Sequence, residues 1–244
     1  MNEADMTGER TIILHYHLFK NAGTSVDAIL KRNFGDRWVT REFGEAGSNN
    51  TAQVEAWISE TPEAVAYSSH TMLGPIPQVA GVRVISLVLL RDPIARIKSA
   101  YRFERAQKAD TWGARLAKEH DFEGYVRARL ERPADRQCRN FQTYRLALFA
   151  PGPGAELDRA TAALDLLSVV GRVEAFDLAM ERLRGLTGDA FPAFQAPATR
   201  ANVSEETSGE SGAEAVMELL EAENRADQDL LAQHGQHRHG MMTP

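Results

Sequence analysis

Apolar residues recur along this chain in two rhythms. Thr11–His17 is a short β-prone run, and Val82–Leu90 is apolar on both faces, broken only by Ser86 over its last seven positions. A run of that kind suits a central strand of a parallel sheet covered by helices. Ser168–Val173 reads as a third apolar strand and Ala64–Tyr67 as a weaker one. Between them the spacing turns helical. Val26, Ile29 and Leu30 share one face of a segment from Thr24 to about Phe34, a short helix is expected over 51–59, and another runs from Pro93 to about Gln107. Residues 107–148 keep a helical pattern with breaks near Gly113 and Pro133. Helices are also expected over Glu156–Leu167 and Ala175–Leu186, and an acidic one over 213–232. Residues 35–50, 151–154 and 187–211 read as loop. Strands alternating with helices predict one α/β domain, a three-layer, P-loop-like arrangement of a central parallel sheet flanked by helices. The domain is expected over 11–232, with a disordered N-terminus at 1–10 and a disordered tail at 233–244.

Composition narrows the class. The 244 residues are 43% hydrophobic and 25% charged, which excludes collagenous, fibrous and disordered chains. The lone Cys138 cannot form an internal disulfide. The N-terminus lacks the basic and apolar regions of a secretion signal, and no stretch is long and apolar enough to span a membrane, so a cytoplasmic location is expected. The net charge is −6, but Arg91–Arg145 holds 14 basic against 8 acidic residues. A basic centre in an acidic chain points to a locally held anionic ligand and away from a nucleic-acid coat, unless it is a solvated helix face. Nothing in the pattern sets an oligomeric state.

Two segments carry chemistry. His17-Leu-Phe-Lys20-Asn21-Ala22-Gly23-Thr24-Ser25 joins a strand to a helix, so backbone N–H groups and the positive end of the helix dipole meet at one point. Gly23 is expected to supply a permissive backbone, with Thr24 or Ser25 as N-cap. Lys20 adds a full charge. That is a phosphate or sulfate site, or an ordinary helix start with a surface lysine. It is not the Walker pattern, which places Lys directly before Ser or Thr. The second segment, Leu90-Arg91-Asp92-Pro93, puts Arg91 at the carboxyl end of the central strand, with Asp92 as N-cap and Pro93 at the first helical position. Ser99 follows about two helical turns on, and an Arg fork with a Ser hydroxyl suits a second phosphate.

The two segments resemble the 5′-phosphosulfate loop (H-I-P-K-T-G/A-G-T-S) and the 3′-phosphate motif (R-D-P-x-x-R-x-x-S-x-Y) of sulfotransferases that use 3′-phosphoadenosine 5′-phosphosulfate (PAPS). The resemblance is to the carbohydrate branch, which includes heparan sulfate and dermatan 2-O-sulfotransferases and their bacterial relatives. It continues through Asn140-Phe-Gln-Thr143, Val170-Gly-Arg-Val-Glu174-Ala-Phe-Asp177, Asn202-Val-Ser204 and Asn224-Arg-Ala-Asp227. The resemblance implies that Lys20 contacts the bridging oxygen and sulfate of PAPS, that Asn21, Ala22, Gly23, Thr24 and Ser25 hold the 5′-phosphate, and that Arg91 and Ser99 bind the 3′-phosphate. His70 matches the general base, and Arg200 is a candidate to close over the nucleotide. His17, Glu42 and Glu45 stay open as alternative bases, and Phe19 replaces the motif's proline. The acceptor is expected to be a hydroxyl on a glycan or another small or lipid-linked metabolite, and no metal is required. A nucleotide-dependent phosphotransferase and a non-catalytic sensor of 3′-phosphoadenosine 5′-phosphate (PAP) remain as alternatives. His234, His237 and His239 are read as a frayed Gly-rich tail, not a metal tract.

Overall fold

The structure, a computed structural model, describes residues 9–44, 47–196 and 214–240, the side chains of 236–240 excepted. Five strands form one parallel sheet: β1 (Arg10–Tyr16), β2 (Trp38–Thr40), β3 (Ala66–Ser69), β4 (Val82–Leu90) and β5 (Val169–Arg172), in the order β2-β3-β1-β4-β5. β1 is central, with Ile13 beside Ala66 of β3 on one side and Ile85 of β4 on the other.

Successive β1 side chains point to opposite faces, and each face has its own core. Ile12, Leu14 and Tyr16 pack with α2 (Thr51–Glu60), α7 (Glu156–Leu166) and α10 (Arg225–Gly240). Ile13 packs with α1 (Gly23–Phe34) and α8 (Phe176–Thr187). This is the expected three-layer α/β fold. A third cluster lies outside the sheet, where α3 (Pro93–Ala106) meets α4 (Trp112–Glu119), α5 (Phe122–Leu130) and α9 (Glu214–Glu223) around Ile97, Tyr125 and Val126. The remaining helix, α6 (Phe141–Ala147), sits between this cap and the sheet's carboxyl edge and runs into α7 through the Pro151–Gly154 turn.

Three expectations change. Residues 35–50 are not all loop: Trp38–Thr40 adds the edge strand β2, too short to show a period-2 pattern. The acidic segment 213–232 is two helices, broken at Asn224, whose buried side-chain amide donates to the carbonyls of Cys138 and Leu220. The tail is helical as far as Gly240, because His234 is buried and its Nε2 bonds the Val170 carbonyl (3.0 Å), tying α10 to β5. Among the described residues no helix is long and apolar enough to cross a membrane.

All five strands run the same way, so their carboxyl ends share one edge. From β1 the chain crosses toward β2, and from β4 it crosses toward β5. The crevice between β1 and β4 is therefore the topological switch point, where open α/β sheets take their ligands.

Candidate active site

The loop after β1 makes its turn with two non-glycine residues in left-handed backbone, Lys20 (φ 65°) and Ala22 (φ 58°). Ala22, not Thr24 or Ser25, is the N-cap of α1, and no side chain caps it. Its carbonyl accepts from the amides of Ser25 and Val26. The amides of Ala22, Gly23 and Thr24 find no acceptor among the described residues, so they form a cluster of donors at the positive end of α1.

Gly23 is required for a different reason from the one its position suggests. Its φ is not left-handed, but a Cβ there would lie 2.0 Å from Cδ2 of His17. The imidazole of His17 presses against the loop and leaves room only for glycine.

His17 is buried because Asp27, one turn into α1, holds it. The Asp27 carboxylate accepts from Nδ1 of His15 with one oxygen and from Nδ1 of His17 with the other, both at 2.9 Å. Burial alone would raise the Asp27 carboxyl, but the bonds from His15 and His17 outweigh it and hold the group well below the usual carboxylate range. Among the described residues these three are the one cluster with the spacing of a metal-ligand set, their ligand atoms lying within 4.8 Å of one another. The same atoms are already engaged in hydrogen bonds.

His70 follows β3 directly. Its ring lies against that of His17, centroids 3.8 Å apart, while its side chain stays half exposed. Nδ1 of His70 donates to Glu42 (2.7 Å), which also accepts from the Thr71 hydroxyl (2.9 Å) and the His70 amide (3.3 Å). Burial would raise the Glu42 carboxyl, yet the bonds from His70 and Thr71 lower it. Donation from Nδ1 leaves Nε2 as the proton acceptor of a neutral ring. Arg145, in α6, donates to the carbonyls of His70 and Met72 and so fixes the backbone that carries the imidazole. Burial lowers the Arg145 guanidinium to about 10.

Across the crevice, Arg91 ends β4 and its Nη1 donates to the Lys20 carbonyl (3.0 Å), so the two expected phosphate segments touch. Asp92 caps α3 by accepting from the Ala95 amide, with Pro93 in the first turn as expected. The Asp92 amide donates to Glu174, just after β5, which anchors the start of that helix. Ser99 lies on the buried side of α3. Lys20 is half-buried, its Nζ 4.6 Å from the centre of the Phe103 ring. Burial, then the charges of Arg91 and Arg102, lower its ammonium from the ordinary value. The crevice therefore brings together Lys20, Arg91 and a set of amides without an acceptor among the described residues, within reach of the Arg102 charge, an anion site by donor chemistry.

Other motif residues are structural. Arg96 is fully buried, donates to Gln137 and lies over the Phe141 ring. Arg136 and Arg139 pair with Glu156 and Glu223. Burial pushes the Cys138 thiol up to about 12, which removes it as a nucleophile. Glu45, Arg200, Asn202 and Ser204 lie outside the described residues, as do the side chains of His237 and His239. Asp27 and Arg145 went unnoticed in the sequence. The one local signal for Asp27 is a carboxylate set between Val26 and Ile29 on the inward side of an amphipathic helix.

Residues 4–147 match the model described as the sulfotransferase family, a span that takes in both crevice segments, His70 and α6. The chain belongs to the sulfotransferase family. As a sulfotransferase-family chain it also has a relative in Archaeoglobus fulgidus, 39% identical over 203 residues with 80% of each of the two chains covered; that protein is itself described as uncharacterized.

Proposed function

We propose that the protein is a cytoplasmic sulfotransferase that moves the sulfuryl group of PAPS to a hydroxyl on a carbohydrate or another small or lipid-linked metabolite. The observation that carries the proposal is the contact between Arg91 and the Lys20 carbonyl. It brings two cationic segments, 71 residues apart in the chain, to the two sides of one crevice at the sheet's switch point. A nucleotide with phosphates at both ends of its ribose asks for that arrangement. The donor set fits it: the Ala22–Thr24 amides and Lys20 for the 5′ end, the Arg91 fork with Ser99 for the 3′ end.

PAPS supplies the sulfuryl group. The acceptor oxygen forms a bond to sulfur as the bond from sulfur to the 5′-phosphate oxygen breaks, and PAP leaves. His70 takes the acceptor's proton on Nε2, which Glu42 makes available by holding the proton of Nδ1. Lys20 meets the charge that grows on the departing phosphate; its half-buried setting strengthens that interaction. His17 supports the His70 ring from below and abuts Gly23, so the proton acceptor and the phosphate loop share one rigid wall.

A thermal-shift series tests the reading. PAP at about 100 times its dissociation constant adds about 2.7 kcal/mol, a rise of about 5–10 °C for a domain of this size. A shift with PAP and none with ADP or with magnesium and ATP is expected. A shift only with magnesium and ATP would make the protein a phosphotransferase. Binding of PAP with no sulfuryl transfer to any hydroxyl acceptor would make it a sensor.

A further inference from the structure

The motif residues Asn140, Gln142 and Thr143 have no place in the chemistry above, yet Gln142 and Thr143 are among the most completely buried polar groups of the described residues. Asp227 of α10 accepts from the amide and hydroxyl of Thr143 (both 2.7 Å) and from the amide of Gln142 (3.2 Å). Asn140 and Asn224 complete the clamp: the Asn140 amide donates to Asn224, and the Asp227 amide donates back to Asn140. The two polar motifs of the C-terminal half thus fasten α6 to α10.

What this clamp presents is the side chain of Gln142. Its Oε1 accepts from Nδ2 of Asn21 (2.9 Å) and from the Arg91 amide (2.8 Å), and its Nε2 donates to the Arg91 carbonyl (2.8 Å) and, at 3.4 Å, to Asp227. Asn21 in turn donates to the carbonyl of Leu89 (2.7 Å). Both lone pairs and both N–H groups of one carboxamide are used, and no other side chain offers two of each at that reach. Asn21 belongs to the loop after β1 and Arg91 to the end of β4, so one side chain spans the crevice beneath its floor.

We propose that Gln142 is a positioning residue that sets the distance between the two phosphate-binding segments, so that a ligand carrying phosphates at both positions meets a crevice already at the right width. The inference rests on the reading of the crevice as a nucleotide bisphosphate site. Gln142 is fully buried and acts through Asn21 and Arg91. Its loss frees the two segments to move apart, and the ligand must then supply the ordering that the carboxamide supplied beforehand.

The test is calorimetric titration with PAP, well below the melting temperature, on the full chain. Gln142→Met keeps the volume and removes all four bonds; Gln142→Asn keeps a carboxamide that is one methylene short. Val126→Ala, a cavity in the cap cluster, lowers stability away from the crevice. The expected result is a loss of PAP affinity of about 10–100-fold in Gln142→Met, the range found for hydrogen-bond partners that orient metal ligands. Gln142→Asn should fall in between, and Val126→Ala should bind as the wild type does. Folded Gln142→Met that binds PAP like the wild type overturns the proposal, as does an equal loss in Val126→Ala. If neither Gln142 variant melts cooperatively, the residue is a core clamp only and the proposal falls. If the wild type itself does not bind PAP, the reading of the crevice has failed first, and the two failures are told apart by that control.

Discussion

Asp27 and Glu104 are both largely buried carboxylates held by basic side chains, one beneath the loop after β1 and one inside the helical cap. Glu104 accepts from Nη2 of Arg129 and from the Tyr125 hydroxyl, all at 2.7 Å, and Arg129 pairs again with Asp135. Arg129 also lies over the rings of Trp112 and Tyr125, and a Cβ on Gly113 would come within 2.3 Å of its Nη2. The cation there is a guanidinium, which keeps its charge at any pH the cell meets, and the cluster is closed. Asp27 holds imidazoles instead. One of them, His17, lies against the ring of His70, which is half exposed. Buried carboxylates with basic partners at similar distances therefore serve different ends. A guanidinium clamp fixes three helices, whereas a carboxylate–imidazole ladder connects the core to a group that can exchange protons with solvent.

The sharpest way to break this comparison is at its two ends. His70→Ala is expected to lower turnover by about 10²–10⁴-fold while PAP affinity stays unchanged, as read by steady-state kinetics beside titration. Undiminished turnover would remove His70 as the base and leave the ladder purely structural. In the cap, Arg129→Met strands Glu104 and Asp135 and should cost about 3–5 kcal/mol of stability in urea melts, with the affinity for PAP unaltered below the melt. A cap variant that lost PAP binding at full folding would erase the division between the two regions.

Asp27→Asn sharpens the contrast through pH. The native carboxyl titrates below its unfolded value of about 3.9. Its contribution is thus fully present above that value and is lost as pH falls toward the lower native one. Wild type should exceed Asp27→Asn by about 2 kcal/mol at neutral pH, the scale of a charged hydrogen bond, and the gap should close progressively in acid below about pH 4. A gap that is constant with pH would mean that Asp27 contributes by shape alone. The smallest effect is expected from Glu42→Gln, about 10-fold in turnover, with no change in PAP affinity, because the half-exposed His70 then loses its preferred tautomer but keeps its place. A larger loss than in His70→Ala would shift the role of base to Glu42.

Much of the frame was legible along the chain. Val82–Leu90 matches β4 residue for residue, because a strand covered on both faces shows as a nearly continuous apolar run. α3 begins where Asp92 and Pro93 say it should, since capping is chemistry between residues three apart. The start of α1 was less legible: the cap is left-handed Ala22, and Gly23 is dictated by a histidine six residues earlier that only the folded turn brings against it. β2 escaped notice because three residues on a sheet edge carry almost no period, and the break at Asn224 because it follows from burial against Cys138, far away in sequence.

The sequence by itself determined the alternation of strands and helices, the two cationic segments and their order, and with them the family. Those features depend on neighbours within one or two turns of chain, where spacing alone sets which groups meet. Tertiary structure alone decided that Glu42 orients His70 across 28 residues, that Arg91 touches the Lys20 carbonyl across 71, and that Gln142 reaches Asn21 across 121. A hydrogen bond exists only within a few tenths of an ångström of its proper length. Contacts of that precision between distant residues arise only once strand order and helix packing have set where each backbone lies.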